Sequence, residues 1–137
     1  MCGRYTLVAK EEEMIKSFSI DSVESPLVNQ FNIAPTSIVP AIVNRSGKRH
    51  LEAFVWGLIP TWAKERKIGY SLFNARAESL QQKPAFRSLF VRKRVVVPSS
   101  GFYEWKRDGK NKQPYLFLMK DETVFGFAGL YDIWKDP

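Results

Sequence analysis

Residues 37–56 read SIVPAIVNRSGKRHLEAFVW, and the fold turns on this stretch. Two runs rich in Val, Ile, Ala and Phe, Ser37–Val43 and Arg49–Trp56, flank the turn formers Asn44-Arg45-Ser46-Gly47. β-Branched and aromatic side chains suit a pleated, half-buried surface, and a polar link ending in Gly lets the chain reverse, so a β-hairpin is expected. Downstream, Arg94–Val97, Gly101–Lys106, Tyr115–Lys120 and Val124–Tyr131 read as further strands, the second and third joined through RDGKNKQ. Upstream, Arg4–Val8 reads as a strand and Lys10–Phe18 as a short helix. In that helix Met14, Ile15 and Phe18 form an apolar face, and Glu11, Glu12 and Glu13 load the first turn, where the dipole favours carboxylates. Residues 19–37, with Pro26 and Pro35, read as loop, and Pro84–Phe90 as a helical turn. The expectation is a single α+β domain over residues 1–137, mainly antiparallel β-sheet with a barrel-like core and short helices.

The chain has 137 residues, of which 45% are apolar and 26% charged, the balance of a folded globular domain. Lys and Arg exceed Asp and Glu by 21 to 14, a net charge of +7 that favours a polyanionic partner. With one Cys and one His, the chain cannot build a disulfide framework, a CxxC pair or a four-ligand zinc site by itself. No metal or cofactor is expected. No apolar run reaches membrane-span length, and MCGRYTLVAKEEE lacks the apolar core of a secretory signal, which points to a cytoplasmic location. The run Val124–Trp134 is among the most apolar in the chain and stands three residues from Pro137, so the sheet is expected to be incomplete at that end.

Cys2 carries the most specific chemistry. Removal of Met1 by an ordinary aminopeptidase would leave an N-terminal cysteine, a 1,2-aminothiol whose amine has a reference pKa of roughly 8 and is partly neutral at pH 7. The amine can form a Schiff base with an aldehyde, and the thiol can close onto the imine carbon to give a thiazolidine. The same residue could serve as a thiol nucleophile on a peptide bond, with His50 as the one available imidazole. It could equally be inert at a chain end. His50 follows Lys48 and Arg49 in the hairpin, which favours a solvent-facing role.

Three further features bear on function. Between Glu78 and Glu104 there is no acidic residue, while Lys83, Arg87, Arg92, Lys93 and Arg94 are interleaved with Phe86 and Phe90. Cations beside aromatics suit a single nucleic-acid strand, and a solvated basic face is the alternative. In GFYEW, 101–105, a strand would place Glu104 with Phe102 on one face, beside aromatics whose desolvation raises a carboxyl toward the range of proton transfer, and a surface Glu on an edge strand is the alternative. In FNARAES, 73–79, an extended chain would project Asn74, Arg76 and Glu78 on one side. The long irregular stretch before it, from Gly57, is a candidate site wall.

Six blocks in order, MCGRYT at the start, FNIAP at 31–35, WGLIPTWA at 56–63, FNARAES at 73–79, RVVVPSSGFYEW at 94–105 and KQPYLF at 112–117, resemble the SRAP (SOS response-associated peptidase) family. The resemblance implies that Cys2 attacks the ring-opened aldehyde of an abasic site in single-stranded DNA and forms a thiazolidine crosslink. It implies that Asn74 positions the aldehyde or the amine and that Glu104 is the acid/base for ring opening and crosslink reversal. By the same resemblance Arg4 and Arg76 hold backbone phosphates, while Pro35 and Trp62 shape the pocket and wedge where the DNA bends. Family members carry a downstream histidine motif that has no counterpart here, and His50 does not match it. A C-terminal portion of the family domain is therefore expected to be absent: either the sequence is a fragment, or a second copy supplies the missing strands. The competing readings are a thiol peptidase acting on its own N-terminus and a non-covalent single-strand-binding module.

Overall fold

The computed structural model describes residues 2–137. In chain order the strands are β1 (Tyr5–Leu7), β2 (Ser22–Val23), β3 (Gln30–Ile33), β4 (Ile38–Arg45), β5 (Lys48–Val55), β6 (Arg94–Ser99), β7 (Gly101–Asp108), β8 (Asn111–Leu118) and β9 (Phe125–Leu130). The helices are α1 (Glu11–Phe18) and α2 (Arg87–Arg92), and short 3₁₀ turns cover Arg66–Tyr70 and Ala77–Ser79.

The β4–β5 hairpin forms as expected, but its loop is tighter. Arg45 pairs with Lys48, leaving Ser46 and Gly47 as the turn. Both take positive φ, 54° and 83°, as a hairpin turn matched to strand twist requires. Asn44 Oδ1 accepts the Gly47 N–H at 3.0 Å and holds the turn closed.

The strands form two sheets, β3-β1-β7-β8 and β2-β5-β4-β6-β9. All pairings are antiparallel except β2 with β5. The α+β, mainly antiparallel reading holds, but the strands do not close into a barrel. The first sheet ends at β3 and β8 and the second at β2 and β9, so each keeps two edges. The chain passes between the sheets at Ser100, where it leaves β6 in one sheet and enters β7 in the other.

Buried hydroxyls satisfy that corner. Ser99 is fully buried, and its Oγ donates toward the carbonyls of Thr6 and Gly101 at 3.1 and 2.9 Å and accepts the Gly101 N–H at 3.1 Å. Ser100 Oγ lies 2.9 Å from Thr6 Oγ1 and accepts the Val8 N–H at 3.0 Å. Backbone groups at a buried bend would otherwise be unpaired, at about 1–3 kcal/mol each. A Cβ on Gly101 would stand 2.8 Å from the Phe117 carbonyl, so only Gly lets β8 approach here.

The core joins the sheets and α1. Tyr5, Leu7 and Ile33 from the first sheet meet Val39, Ile42 and Leu51 from the second, with Met14 and Ile20 beside them. Of the expected apolar face of α1, Met14 is buried and Phe18 packs against this core, whereas Ile15 is exposed. A smaller cluster, Ala41, Val43 and Val95, occupies the other face of β4 and β6 with Phe54 and Tyr131.

Residues 19–37 are not loop throughout. β2 adds to the β5 edge and β3 pairs with β1, Tyr5 opposite Ile33. Both strands are short, and their pairing partners lie far away in sequence.

Candidate functional site

Cys2 enters β1 beside β7, whose Phe102 lies opposite Tyr5. The ladder continues toward Cys2, since the Tyr103 N–H donates to the Arg4 carbonyl at 2.9 Å. The half-buried Cys2 thiol donates to the Arg4 carbonyl at 3.2 Å. Burial pushes the thiol above its ordinary value, a backbone hydrogen bond at Arg4 offsets part of this, and the negative charge of Glu104 adds to it. Glu104 is itself half-buried on β7, on the face shared with Phe102.

Asn74 comes from 72 residues away, and its side-chain amide donates to the Cys2 carbonyl. What delivers it is Trp56, at the end of the central hairpin. The Trp56 indole N–H donates to the Phe73 carbonyl at 2.7 Å, and its ring packs edge-on against Phe73 and against Tyr5, with centroids 6.2 and 5.5 Å apart. The hairpin therefore fixes the 73–74 segment beside Cys2 through one tryptophan. Further along, Gly57 (φ 143°) and Gly69 bring their backbones together. A Cβ on Gly57 would lie 2.5 Å from the Gly69 carbonyl oxygen, and Leu58 N donates to the Leu72 carbonyl at 2.9 Å. The irregular stretch is thus a closed loop with its own contacts.

Cys2, Asn74 and Glu104 are brought together, and the other expected residues surround them less closely. Arg4 donates through Nη1 to Asn32 Oδ1 at 2.9 Å, while its buried Nε has no partner. Pro35 sits in a turn closed by Ser37 N to the Ala34 carbonyl at 3.1 Å, with Thr36 following it at φ 77°. Trp62 is 61% exposed and borders a cleft of ≈ 450 Å³ with Lys64, Lys67 and Ser71. Arg76 is exposed, with extended φ and ψ of −82° and 130°. Glu78 leaves the expected line, because the 3₁₀ turn Ala77–Ser79 ends the extended run after Arg76.

The basic window is also altered by folding. Phe86 is 4% exposed and Lys93 is paired with Asp132 at 2.5 Å, so neither is free to meet a base or a phosphate. Arg87, Arg92 and Arg94 remain exposed. His50 faces Glu24 across 3.3 Å on β5, in the sheet that does not contain β1, and so does not pair with Cys2. Among the described residues no group of three or more His, Cys, Asp or Glu is arranged to hold a metal ion. No helix among them is long and apolar enough to cross a membrane.

Several residues near the site escape a reading of the sequence. Tyr5 is 2% exposed, and its hydroxyl has no hydrogen-bond partner. Tyr103 donates to the Phe31 carbonyl at 3.0 Å and lies beside Trp105, while Phe31 and Trp105 are themselves exposed. The segment 131–134 anchors the Trp62 loop on both sides: Thr61 N donates to Asp132 Oδ2 at 3.1 Å, and Trp134 Nε1 donates to the Ala63 carbonyl at 2.8 Å. The strand alternation of GFYEW could have flagged Trp105. Nothing in the local sequence marks Asp132 or the orphaned phenol.

The chain is similar to several known proteins. The SOS response associated peptidase (SRAP) family model matches residues 1–137. The abasic site processing protein YoqW of Bacillus subtilis is 44% identical over 140 residues, covering 100% of this chain and 62% of that protein. The abasic site processing protein HMCES of Xenopus tropicalis is 32% identical over 136 residues, 78% of this chain and 41% of its own length. A crystal structure of a protein from Bacteroides thetaiotaomicron superposes with a TM-score of 0.85 at 33% identity, over 98% of this chain and 62% of the other. This chain thus spans less than two thirds of the length of these relatives, and it belongs to the SOS response associated peptidase (SRAP) family.

Proposed function

We propose that this protein processes abasic sites in DNA, and that it does so by capturing the open-chain aldehyde in single-stranded DNA on Cys2. The observation that carries the reading is the hydrogen bond from Asn74 to Cys2, with Glu104 on the strand beside it, three residues that the sequence sets far apart. The relatives' function as abasic site processing proteins supports it. Removal of Met1, which the capture requires, concerns a residue outside those the structure describes.

The chemistry follows from the aminothiol. The Cys2 amine adds to the aldehyde carbon, and the carbonyl oxygen leaves as water to give an imine. The thiol then adds across the carbon–nitrogen double bond, forming the carbon–sulfur bond while its proton passes to nitrogen. The net change is aldehyde plus aminothiol giving thiazolidine plus water, with no oxidant or metal required. Glu104 shuttles protons in ring opening and reversal, a role that calls for a carboxyl within reach of the reacting atoms. Asn74 holds the Cys2 carbonyl and so orients the amine on the adjacent carbon. Held geometry of this kind is worth several kcal/mol of barrier, at about 7–11 in the best intramolecular cases.

Arg4 and Arg76 supply charge for phosphates, and Pro35 and the exposed Trp62 supply surfaces against which an unpaired base or sugar can rest. A crosslink on the lesion would keep the aldehyde from reaching strand cleavage. The peptidase alternative gains nothing from the fold, because His50 is engaged with Glu24 and stands in the other sheet.

The test is a denaturing gel of the protein with single-stranded DNA carrying one abasic site, run beside undamaged DNA and Cys2→Ala. A heat-stable shifted band that needs both the lesion and Cys2 is expected. A band that survives Cys2→Ala, or none with Met1 verified as removed, refutes the reading for this chain.

A further inference from the structure

Among the described residues, the buried side-chain nitrogen and oxygen atoms without a hydrogen-bond partner are Arg4 Nε and Tyr5 Oη. Both fall within three residues of Cys2. Elsewhere the fold pairs its buried polar groups even at the Ser99 corner, so the exceptions cluster where the aminothiol stands. A buried hydroxyl left unpaired costs free energy, and such a group in a settled fold calls for an occupant.

Tyr5 is well placed to meet one. Its ring packs edge-on against Trp56 at 5.5 Å and Phe127 at 5.9 Å, two contacts that fix where the phenol stands. Trp56 is the residue that holds Phe73, and thereby Asn74, against the Cys2 carbonyl. Cys2 packs on the same core cluster that contains Tyr5. Burial, and secondarily the nearby Cys2 charge, push the phenol well above its ordinary value, so it stays a neutral O–H donor.

We propose that the Tyr5 hydroxyl donates a hydrogen bond to the oxygen of the bound aldehyde and orients the carbonyl for attack by the Cys2 amine. This rests on the aldehyde-capture reading above and adds a fourth residue to it. Tyr5 is not consumed: the carbonyl oxygen still leaves as water, and the phenol keeps its proton throughout.

Tyr5→Phe tests this, because it removes one oxygen and leaves the ring, its clamps and its volume. Single-turnover crosslinking to single-stranded abasic DNA is measured across DNA concentrations, together with the thermal midpoint. The expected result is a maximal rate at least tenfold lower, an unchanged half-saturating DNA concentration, and a midpoint equal to or above wild type. An unchanged rate overturns the proposal, and so does a midpoint several degrees lower, which would make the hydroxyl a structural group. Wild type that forms no adduct refutes the capture reading itself and takes this proposal with it. A Tyr5→Phe variant that matches a competent wild type removes Tyr5 alone.

Discussion

Asn74→Ala separates positioning from stability. The substitution deletes the side-chain amide that donates to the Cys2 carbonyl, a contact joining the chain's first residues to the 73–76 segment. Losing such a bond, and leaving a half-buried carbonyl short of a partner, costs about 1–2 kcal/mol. That energy falls on the docking of Cys2, not on the core, since Trp56 still holds Phe73 from the hairpin side. The docked population should fall by about 5- to 30-fold relative to the undocked one. Two rates then move in opposite directions. Aldehyde capture, which needs the docked amine, slows by up to that factor. Alkylation of Cys2 by a neutral thiol reagent quickens, because undocking undoes the burial that holds the thiol above its ordinary value. The thermal midpoint moves little, as local opening of a chain end lies at the low end of stability. The assay is paired: gel-resolved crosslinking to abasic single-stranded DNA, and intact-mass alkylation at fixed pH. Capture and alkylation that both stay at wild-type rates would refute the reasoning, and a collapse of the midpoint would place Asn74 in the core instead.

Four more outcomes are expected. Gly101→Ala puts a Cβ 2.8 Å from the Phe117 carbonyl and should destabilise by about 1–3 kcal/mol in urea unfolding; a neutral result would mean that β8 can shift. Thr36→Gly removes a β-branched side chain from φ 77° and should stabilise by up to about 1 kcal/mol, while a loss would show that Thr36 makes a compensating contact. Asp132→Ala unpairs the one-third-exposed Lys93 and the Thr61 N–H and should cost about 1–3 kcal/mol, with Trp62 fluorescence changing before global unfolding; a single unchanged transition would contradict the anchoring role. For pH, the folded Cys2 thiol lies above its reference value of 9.0, so the folded protein prefers the protonated thiol. Its alkylation should lag that of the denatured chain as pH rises through 9, and the stabilising effect of the buried thiol, present below the unfolded value, should fade as pH passes the folded one. Identical pH profiles for folded and denatured protein would remove the burial argument.

What could be read from the residues was what local chemistry encodes. The hairpin around Ser46-Gly47 and the helix loaded with Glu11–Glu13 depend on neighbours in sequence, and both appear where the pattern places them. β3 escaped because its ladder partner Tyr5 is 28 residues from Ile33, and no local pattern in QFNI distinguishes it from loop. The mainly antiparallel α+β class was legible in the strand runs, whereas their division into two sheets at Ser100, where the chain passes from β6 to β7, was not. Cys2 stood out as a candidate because an N-terminal aminothiol would have chemistry of its own, whereas Asn74 rested mainly on the resemblance, since what brings it to Cys2 is Trp56 holding Phe73. The interleaved Phe86 read as a stacking surface and is instead core, as apolar side chains bury wherever the fold offers room. Tyr5 could not be singled out at all. Its orphaned hydroxyl arises from the packing of Trp56 and Phe127, which meet it only in the folded chain.

The central claim is a covalent bond from the lesion to residue 2, and peptide mapping of the crosslinked product tests it most directly. The protein is incubated with single-stranded abasic DNA without reductant, the DNA is digested to its sugar remnant, and the modified peptide is fragmented. The account predicts the remnant on the peptide that begins at Cys2, with Met1 gone and one water lost, as thiazolidine formation requires. A remnant on a lysine, a modified peptide that retains Met1, or an adduct that survives only after borohydride reduction would contradict it.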